Sequence, residues 1–224
     1  MSGDEFHTHA RAIAQIVMHG HGHGRSLSEQ QSVDADGRPL PMFSYPAIEY
    51  LGQLDLRGRA VFEYGSGDST LYWYARAGRV VTVEHDQAWF DRLASRKPPA
   101  LELLFVPDET YARTIAKIGG TFDIVVIDGI DRYDCAGLAP DHLAPGGMII
   151  LDNAEWHPAT AERLRKADLI EIDMNGFSPR RPYCQTTSLF LRRDFNFKPA
   201  DLVQPALGIG NRQRVSSYDR PRQR

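Results

Sequence analysis

The sequence predicts an α/β fold: a doubly wound, Rossmann-like sheet, mostly parallel, with an antiparallel last strand. Three observations carry this expectation. From Ser44 onward, short apolar runs alternate with amphipathic stretches, which implies strand–helix crossover units and parallel neighbours. The runs are nearly continuous in Val, Ile and Leu, as in "RVVTVE" and "FDIVVI", the pattern of strands covered on both faces. The last two runs, around Asp168–Asp173 and Gln185–Arg193, are joined by "MNGFSPRRPYC". That stretch reads as loop, and a strand pair without a crossover helix is antiparallel.

The elements follow in order. "SYPAIEYLGQL" offers a capping serine, a proline in the first turn and apolar residues at helical spacing. "AVFEY" reads as a strand and "STLYWYARAG" as a helix ended by Gly78. "RVVTVEH" is a strand, "DQAWFDRLASR" a helix capped by Asp86, "LELLFVP" a strand and "ETYARTIAKIGG" helix-like. "FDIVVIDG" is a strand, "DCAGLAPDHLAPGG" a helix and a turn, "MIILDN" a strand and "PATAERLRKA" a helix opened by proline. "DLIEID" and "TTSLFLRR" are the closing strands.

This divides the chain into an irregular or short-helical extension over 1–43, a domain over 44–197 and a loosely held polar tail over 198–224. The "HGHGHGRS" stretch reads as flexible. Its histidines adjoin no cysteine or carboxylate cluster, so they make at most a weak, adventitious metal site.

Bulk composition narrows the function. A chain of 224 residues, 42% hydrophobic and 25% charged, has enough material for one buried core. A formal net charge of -3 supplies no global basic field, and no aromatic-interleaved basic stripe or zinc knuckle points to nucleic acid. The apolar runs are too short to span a bilayer. The N-terminus lacks the basic-then-apolar plan of a secretory signal, and there are two cysteines, so a reducing cytoplasm is the expectation. Nothing in the sequence fixes an oligomeric state.

The stretch richest in chemistry is "FEYGSGDST", Phe62 to Thr70, at the carboxyl end of the first strand. Ligands of doubly wound sheets sit at that end. Gly65 and Gly67 let backbone pass close to a ligand. A dinucleotide wants a third glycine and room for a pyrophosphate. Here the third position is Thr70, and Asp68 stands near the pyrophosphate's place with nothing basic in the loop to offset it. A cofactor with one carboxylate, an ammonium and a sulfonium suits these charges better, and S-adenosylmethionine is such a cofactor. Glu84, at the end of the second strand, stands where an acid that bonds ribose hydroxyls is expected.

"VFEYGSGDSTLYWYA", "VVTVEHDQAWFDRL", "FDIVVIDG" and "LAPGGMIILDN" together resemble the class I S-adenosylmethionine-dependent methyltransferases. The resemblance covers roughly Ser44 to Arg193 and implies a seven-stranded sheet with an antiparallel last strand. It implies that Glu63, Gly65 and Gly67 form the first cofactor motif, that Glu84 takes the ribose and that Asp108 contacts adenine.

Methyl transfer asks a protein to position donor and acceptor, and to accept a proton when the acceptor is a hydroxyl. Asp128 ends "IVVID", and Asp152 and Asn153 end "IILDN". Three hard oxygen donors at neighbouring strand ends suit an ion such as Mg2+. The set resembles the metal site of catechol and caffeoyl-coenzyme A O-methyltransferases, and "DNAEW" resembles the stretch after their last metal ligand. Those families carry a lysine shortly after the first aspartate, whereas no lysine lies between Asp128 and Asn153 here. Asp131, His142 and His157 are the alternative bases, and Asp128 is expected to act near the active site. His157 is the one that follows the "DN" strand end.

The expected acceptor is a small molecule, with a sugar or polysaccharide precursor as one class. Met42, Phe43, Tyr45, Phe177 and Tyr183 are expected to wall its pocket, and Arg180 and Arg181 to meet an anionic group on it. Two other readings stand beside this one: an NAD-dependent oxidoreductase, and a donor-binding module without catalysis.

Overall fold

The computed structural model describes residues 2–201 and 204–212. Its centre is a seven-stranded sheet. In chain order the strands are β1 (Ala60–Tyr64), β2 (Arg79–Glu84), β3 (Glu102–Phe105), β4 (Phe122–Ile127), β5 (Leu143–Leu151), β6 (Ile170–Phe177) and β7 (Cys184–Leu191). Their spatial order is β3-β2-β1-β4-β5-β7-β6. The first five run parallel, and β7 is antiparallel to both β5 and β6. The order reverses at β1, beside β4, which makes the carboxyl ends of those strands the switch point.

Strand alternation explains both layers. Phe62, Val125, Ile127, Ile149 and Leu151 face one way, into a cluster with Tyr111, Ile115, Cys135 and Leu164. Val61, Ile124, Val126, Met148 and Ile150 face the other way, against Ala47, Ile48, Leu51, Tyr72 and Trp73. Each face needs its own helical cover, so the central strands are nearly continuous in apolar residues. Burial of one such large side chain stabilises the fold by about 1.5–3 kcal/mol.

The helices are α1 (Gly3–Gln15), α2 (His23–Glu29), α3 (Tyr45–Gly52), α4 (Asp68–Tyr74), α5 (Gln87–Ala94), α6 (Thr114–Ile118), α7 (Arg132–Leu138) and α8 (Pro158–Arg165). Ser44 caps α3 through its hydroxyl and Asp86 caps α5 through its carboxylate. Among the described residues no helix is long and apolar enough to cross a membrane.

Four elements differ from the sequence expectation. The extension is helical through most of residues 3–29, and the glycine–histidine stretch lies within it. His21 stacks on Tyr45 at 4.2 Å between ring centroids, and His23 Nδ1 lies 3.1 Å from the Tyr45 hydroxyl. Packing against α3 thus overrides local glycine freedom. β6 runs on through "MNGF" to Phe177, because each of its residues finds a partner on β7, and the connecting loop shrinks to Ser178–Tyr183. β3 is a short, largely exposed edge strand. The described residues beyond Phe197 return over α3 and the turn after it: Asp55 N–H donates to Lys198 O, Ala200 N–H to Gln53 O and Ile209 N–H to Glu49. Residues 202–203 and 213–224 of the expected tail lie outside the described residues.

Candidate functional site

A cleft of about 300 Å³ opens at the carboxyl ends of β1, β2 and β4. Gly65 to Ser69 form its floor, with Glu84, His85, Trp89 and Arg92 on one wall. Asp128, Gly129 and Ile130 line it from β4, and Met42 and Arg180 reach it from the rim.

The floor is a tight turn. Gly65 has φ +92, and a Cβ there would lie 2.9 Å from Gly129 N and 3.0 Å from Asp128 C. At Gly129 a Cβ would meet the Tyr111 hydroxyl at 2.0 Å. Two glycines therefore let the β1 and β4 loops touch backbone to backbone. At Gly67 a Cβ would meet nothing, so that glycine keeps space open.

Three N–H groups of the turn are already in use. Gly65 N–H donates to Val83 O, Ser66 N–H to Glu84 Oε2 and Gly67 N–H to Thr70 Oγ1. Thr70, in the third-glycine position, donates its hydroxyl to Glu63 Oε2 at 2.5 Å. Glu63 lies fully buried under the turn, not in the cleft, and burial pushes its carboxyl up to about 7. Its other oxygen, Oε1, has no protein partner.

Glu84 is 3% exposed. Its Oε2 accepts from Ser66 N–H and hydroxyl at 2.9 and 2.8 Å, and its Oε1 from the N–H groups of His85 and Asp86 at 2.8 and 2.9 Å. It lines the cleft and also staples the turn after β1 to the turn after β2. Asp108 does not line the cleft. It is exposed and accepts from Thr110 N–H at 2.8 Å in its own turn. In the cleft wall stands Trp89, 46% exposed, with the Arg92 guanidinium over its ring. Its exposure on an amphipathic helix looks ordinary in sequence, so no sequence signal marked it.

Asp68 corrects one argument. The loop holds no base, but Arg96, from beyond α5, pairs with Asp68 Oδ1 at 2.7 Å, and Ser32 N–H donates to Oδ2 at 2.8 Å. Its charge is therefore offset. Three N–H groups of the turn, those of Gly65, Ser66 and Gly67, are spent within the protein and so are not free for a pyrophosphate.

At the other end of the cleft, Asp128 keeps 27% of its side chain exposed. Burial raises its pKa, opposed by the charge and hydrogen bond of Arg132. Arg132 Nη2 donates to Asp128 Oδ1 at 3.0 Å. Asp152 is 2% exposed and raised well above the carboxylate range by burial and by Asp128. Its Oδ1 accepts from the Thr187 hydroxyl at 2.6 Å and its Oδ2 from Gln185 Nε2 at 3.0 Å. Thr187 Oγ1 in turn accepts from Ser44 N–H, and Gln185 Nε2 donates to Met42 O. Asp152 is thus a buried hub that fixes the 42–44 segment to the β5–β7 pair. Asn153 turns the chain with φ +49 and is buried.

This donor set does not fit a resident Mg2+. The expected ligands Asp128 and Asp152 already hold internal donors, and Arg132 puts a fixed positive charge between their strand ends. Among the described residues no group of three His, Cys, Asp or Glu is placed to hold a metal ion.

The remaining expected residues scatter. His157 does not line the cleft, and burial and Arg132 lower its pKa. His142 contacts Gly120 O at the opposite end of β5, and Asp131 is exposed. Of the expected pocket walls, Met42 lines the cleft. Phe43 packs on Trp73 in the core, and Tyr45 faces a separate hollow with His21 and Glu49. Phe177 and Tyr183 are exposed, as is Arg181.

No protein-family model matches the chain, and no curated protein matches it in sequence. Solved structures match in fold. The O-methyltransferase TomG of Streptomyces achromogenes, solved with S-adenosylmethionine, is 17% identical at TM-score 0.50, over 79% of this chain and 89% of that one. The precorrin-6y C5,15-methyltransferase of Geobacter metallireducens is 12% identical at TM-score 0.51, over 65% of this chain and 86% of that one. The spermidine synthase of Thermotoga maritima is 15% identical at TM-score 0.50, over 61% of this chain and about half, 54%, of that one. By strand order, last-strand direction and these likenesses, the chain has the class I S-adenosylmethionine-dependent methyltransferase fold.

Proposed function

We propose that the chain is an S-adenosylmethionine-dependent methyltransferase that methylates a hydroxyl of a small molecule, with a sugar or polysaccharide precursor as one acceptor class and no nucleic acid or membrane as partner. The observation that carries this reading is the glycine turn Gly65–Ser69 lining one cleft together with the Glu84 carboxylate bonded to it. The open space over Gly67 fits a ligand there.

When bound, S-adenosylmethionine supplies an electrophilic methyl group on a cationic sulfur. Glu84 is the acceptor for ribose hydroxyls once the Ser66 hydroxyl turns aside. Trp89 offers a ring face to adenine, and Ser69 and Arg180 offer donors to a carboxylate. Asp128 is the base, since one oxygen is held by Arg132 and the other is left for the proton of the acceptor hydroxyl. No step passes through a metal.

A donor-binding module without catalysis is favoured by one observation, the internal partners of both Asp128 and Asp152. One screen separates the readings. Hydroxylated metabolites and nucleotide-sugars are incubated with the protein and methyl-labelled donor. Label on an acceptor oxygen supports the enzyme reading. Donor binding with no labelled product across the screen supports the module.

A further inference from the structure

We infer that Arg132 takes the place of a divalent ion beside the cleft: its guanidinium stands between the ends of β4 and β5, among the oxygens that such an ion would need, and so makes these strand ends exclude metal. The inference rests on the methyltransferase reading for the reaction that the site performs, though not for the geometry.

Arg132 opens α7, and its side chain is 12% exposed. Nε donates to Gly129 O at 2.9 Å, Nη1 to the main-chain O of Asp152 at 2.5 Å, and Nη2 to the main-chain O of Asp128 at 3.1 Å and its Oδ1 at 3.0 Å. One planar fork thus ties the end of β4 to the end of β5. Four oxygens that a hard cation would want are already accepting from it. The Asp152 carboxylate, which would supply more, is committed to Thr187 and Gln185. What remains is Asp128 Oδ2 and the Asn153 amide. A magnesium-type ion needs close to six oxygens in octahedral array and dehydrates reluctantly, so two single contacts beside a fixed positive charge do not hold it.

The substitution has a chemical consequence. A guanidinium keeps its charge at any working pH and cannot act as a base. It balances the charge of Asp128 and faces Asp152 without being loaded from solution. It also fixes the orientation of Asp128. Arg132 is therefore a positioning residue.

The test is a Mn2+ titration of the full chain followed by electron paramagnetic resonance, run with and without S-adenosylhomocysteine. Wild type is expected to leave the free-ion spectrum unchanged into the millimolar range. Arg132→Met is expected to gain saturable binding, roughly tenfold or more tighter than wild type, the scale on which neighbours of a metal site act. Adding Asp128→Asn should abolish that gain. Arg132→Lys keeps the charge and should stay metal-free. Saturable Mn2+ binding by wild type that Asp128→Asn removes would overturn the inference. So would an Arg132→Met protein that unfolds cooperatively yet gains nothing. Calorimetry of S-adenosylhomocysteine on wild type judges the cofactor reading separately, because the Mn2+ result without ligand does not depend on it.

Discussion

Ser66 gives Glu84 both its N–H and its hydroxyl, at 2.9 and 2.8 Å. One carboxylate thereby holds the turn after β1 in place before any ligand arrives. Preorganisation of this kind reduces the ordering cost of binding. The two bonds differ in kind. The N–H bond fixes backbone, whereas the hydroxyl can rotate and release an acceptor to a ligand.

Glu84→Ala removes the staple and the proposed ribose acceptor together. Hydrogen bonds to a charged group are worth about 1.5–3 kcal/mol each, so S-adenosylhomocysteine affinity should fall at least about tenfold and the Tm should drop. Ser66→Ala removes only the rotatable bond, and calorimetry should find affinity retained. Equal losses in the two variants would move the ribose role away from Glu84.

Glu63 predicts a pH dependence. Burial raises its folded carboxyl to about 7 from an ordinary value of 4.5. Between those values the unfolded chain releases a proton that the folded chain keeps, so stability falls as pH rises. At about 1.4 kcal/mol per unit this amounts to roughly 3 kcal/mol. Asp128 and Asp152, also raised, act in the same direction. Urea midpoints from pH 4.5 to 8 should decline in wild type and decline less in Glu63→Gln. A midpoint that climbs over that window contradicts the assignment.

Asp68 and Arg96 join the cofactor turn to the segment beyond α5, and Ser32 N–H adds the N-terminal extension. Both side chains are mostly buried, at 15% and 27% exposure. Asp68→Ala leaves the guanidinium and the Ser32 N–H without their acceptor, so a loss of about 1–3 kcal/mol is expected in denaturant titration. Hydrogen exchange should rise in residues 30–34. Exchange that stays unchanged there would show that the bond does not hold the extension.

Asp152 separates a structural hub from a metal ligand. Asp152→Asn keeps an acceptor for Thr187 and should leave S-adenosylhomocysteine binding within about threefold of wild type, under 1 kcal/mol. Thr187→Val strips a donor from Asp152 and an acceptor from Ser44 N–H, and should cost about 1–3 kcal/mol of stability. Tm and calorimetry on the two variants decide this.

Most of the sheet was legible because both-face burial leaves a nearly continuous apolar signature. Alternate residues of "FDIVVI" fall into the two core clusters, Ile124 and Val126 on one side and Val125 and Ile127 on the other. The glycine turn and Glu84 were legible because strand ends can be located from those runs. Long-range pairing hid the rest. The length of β6 depends on β7, the order in "HGHGHG" depends on Tyr45, and the neutralisation of Asp68 depends on Arg96, 28 residues away. Arg132 was visible four residues after Asp128, but a search for a basic lysine passes over a guanidinium. The role of Asp152 as a hub could not be read locally, since its partners Gln185 and Thr187 lie 33 and 35 residues downstream.

The central claim is that this cleft accepts a sulfonium nucleoside and refuses a dinucleotide. Isothermal titration of the full chain with S-adenosylmethionine, S-adenosylhomocysteine and NAD tests it directly. Saturable one-to-one binding of the first two, with no heat from NAD, is the expected result. Saturable NAD binding with none by either sulfur nucleoside would contradict it.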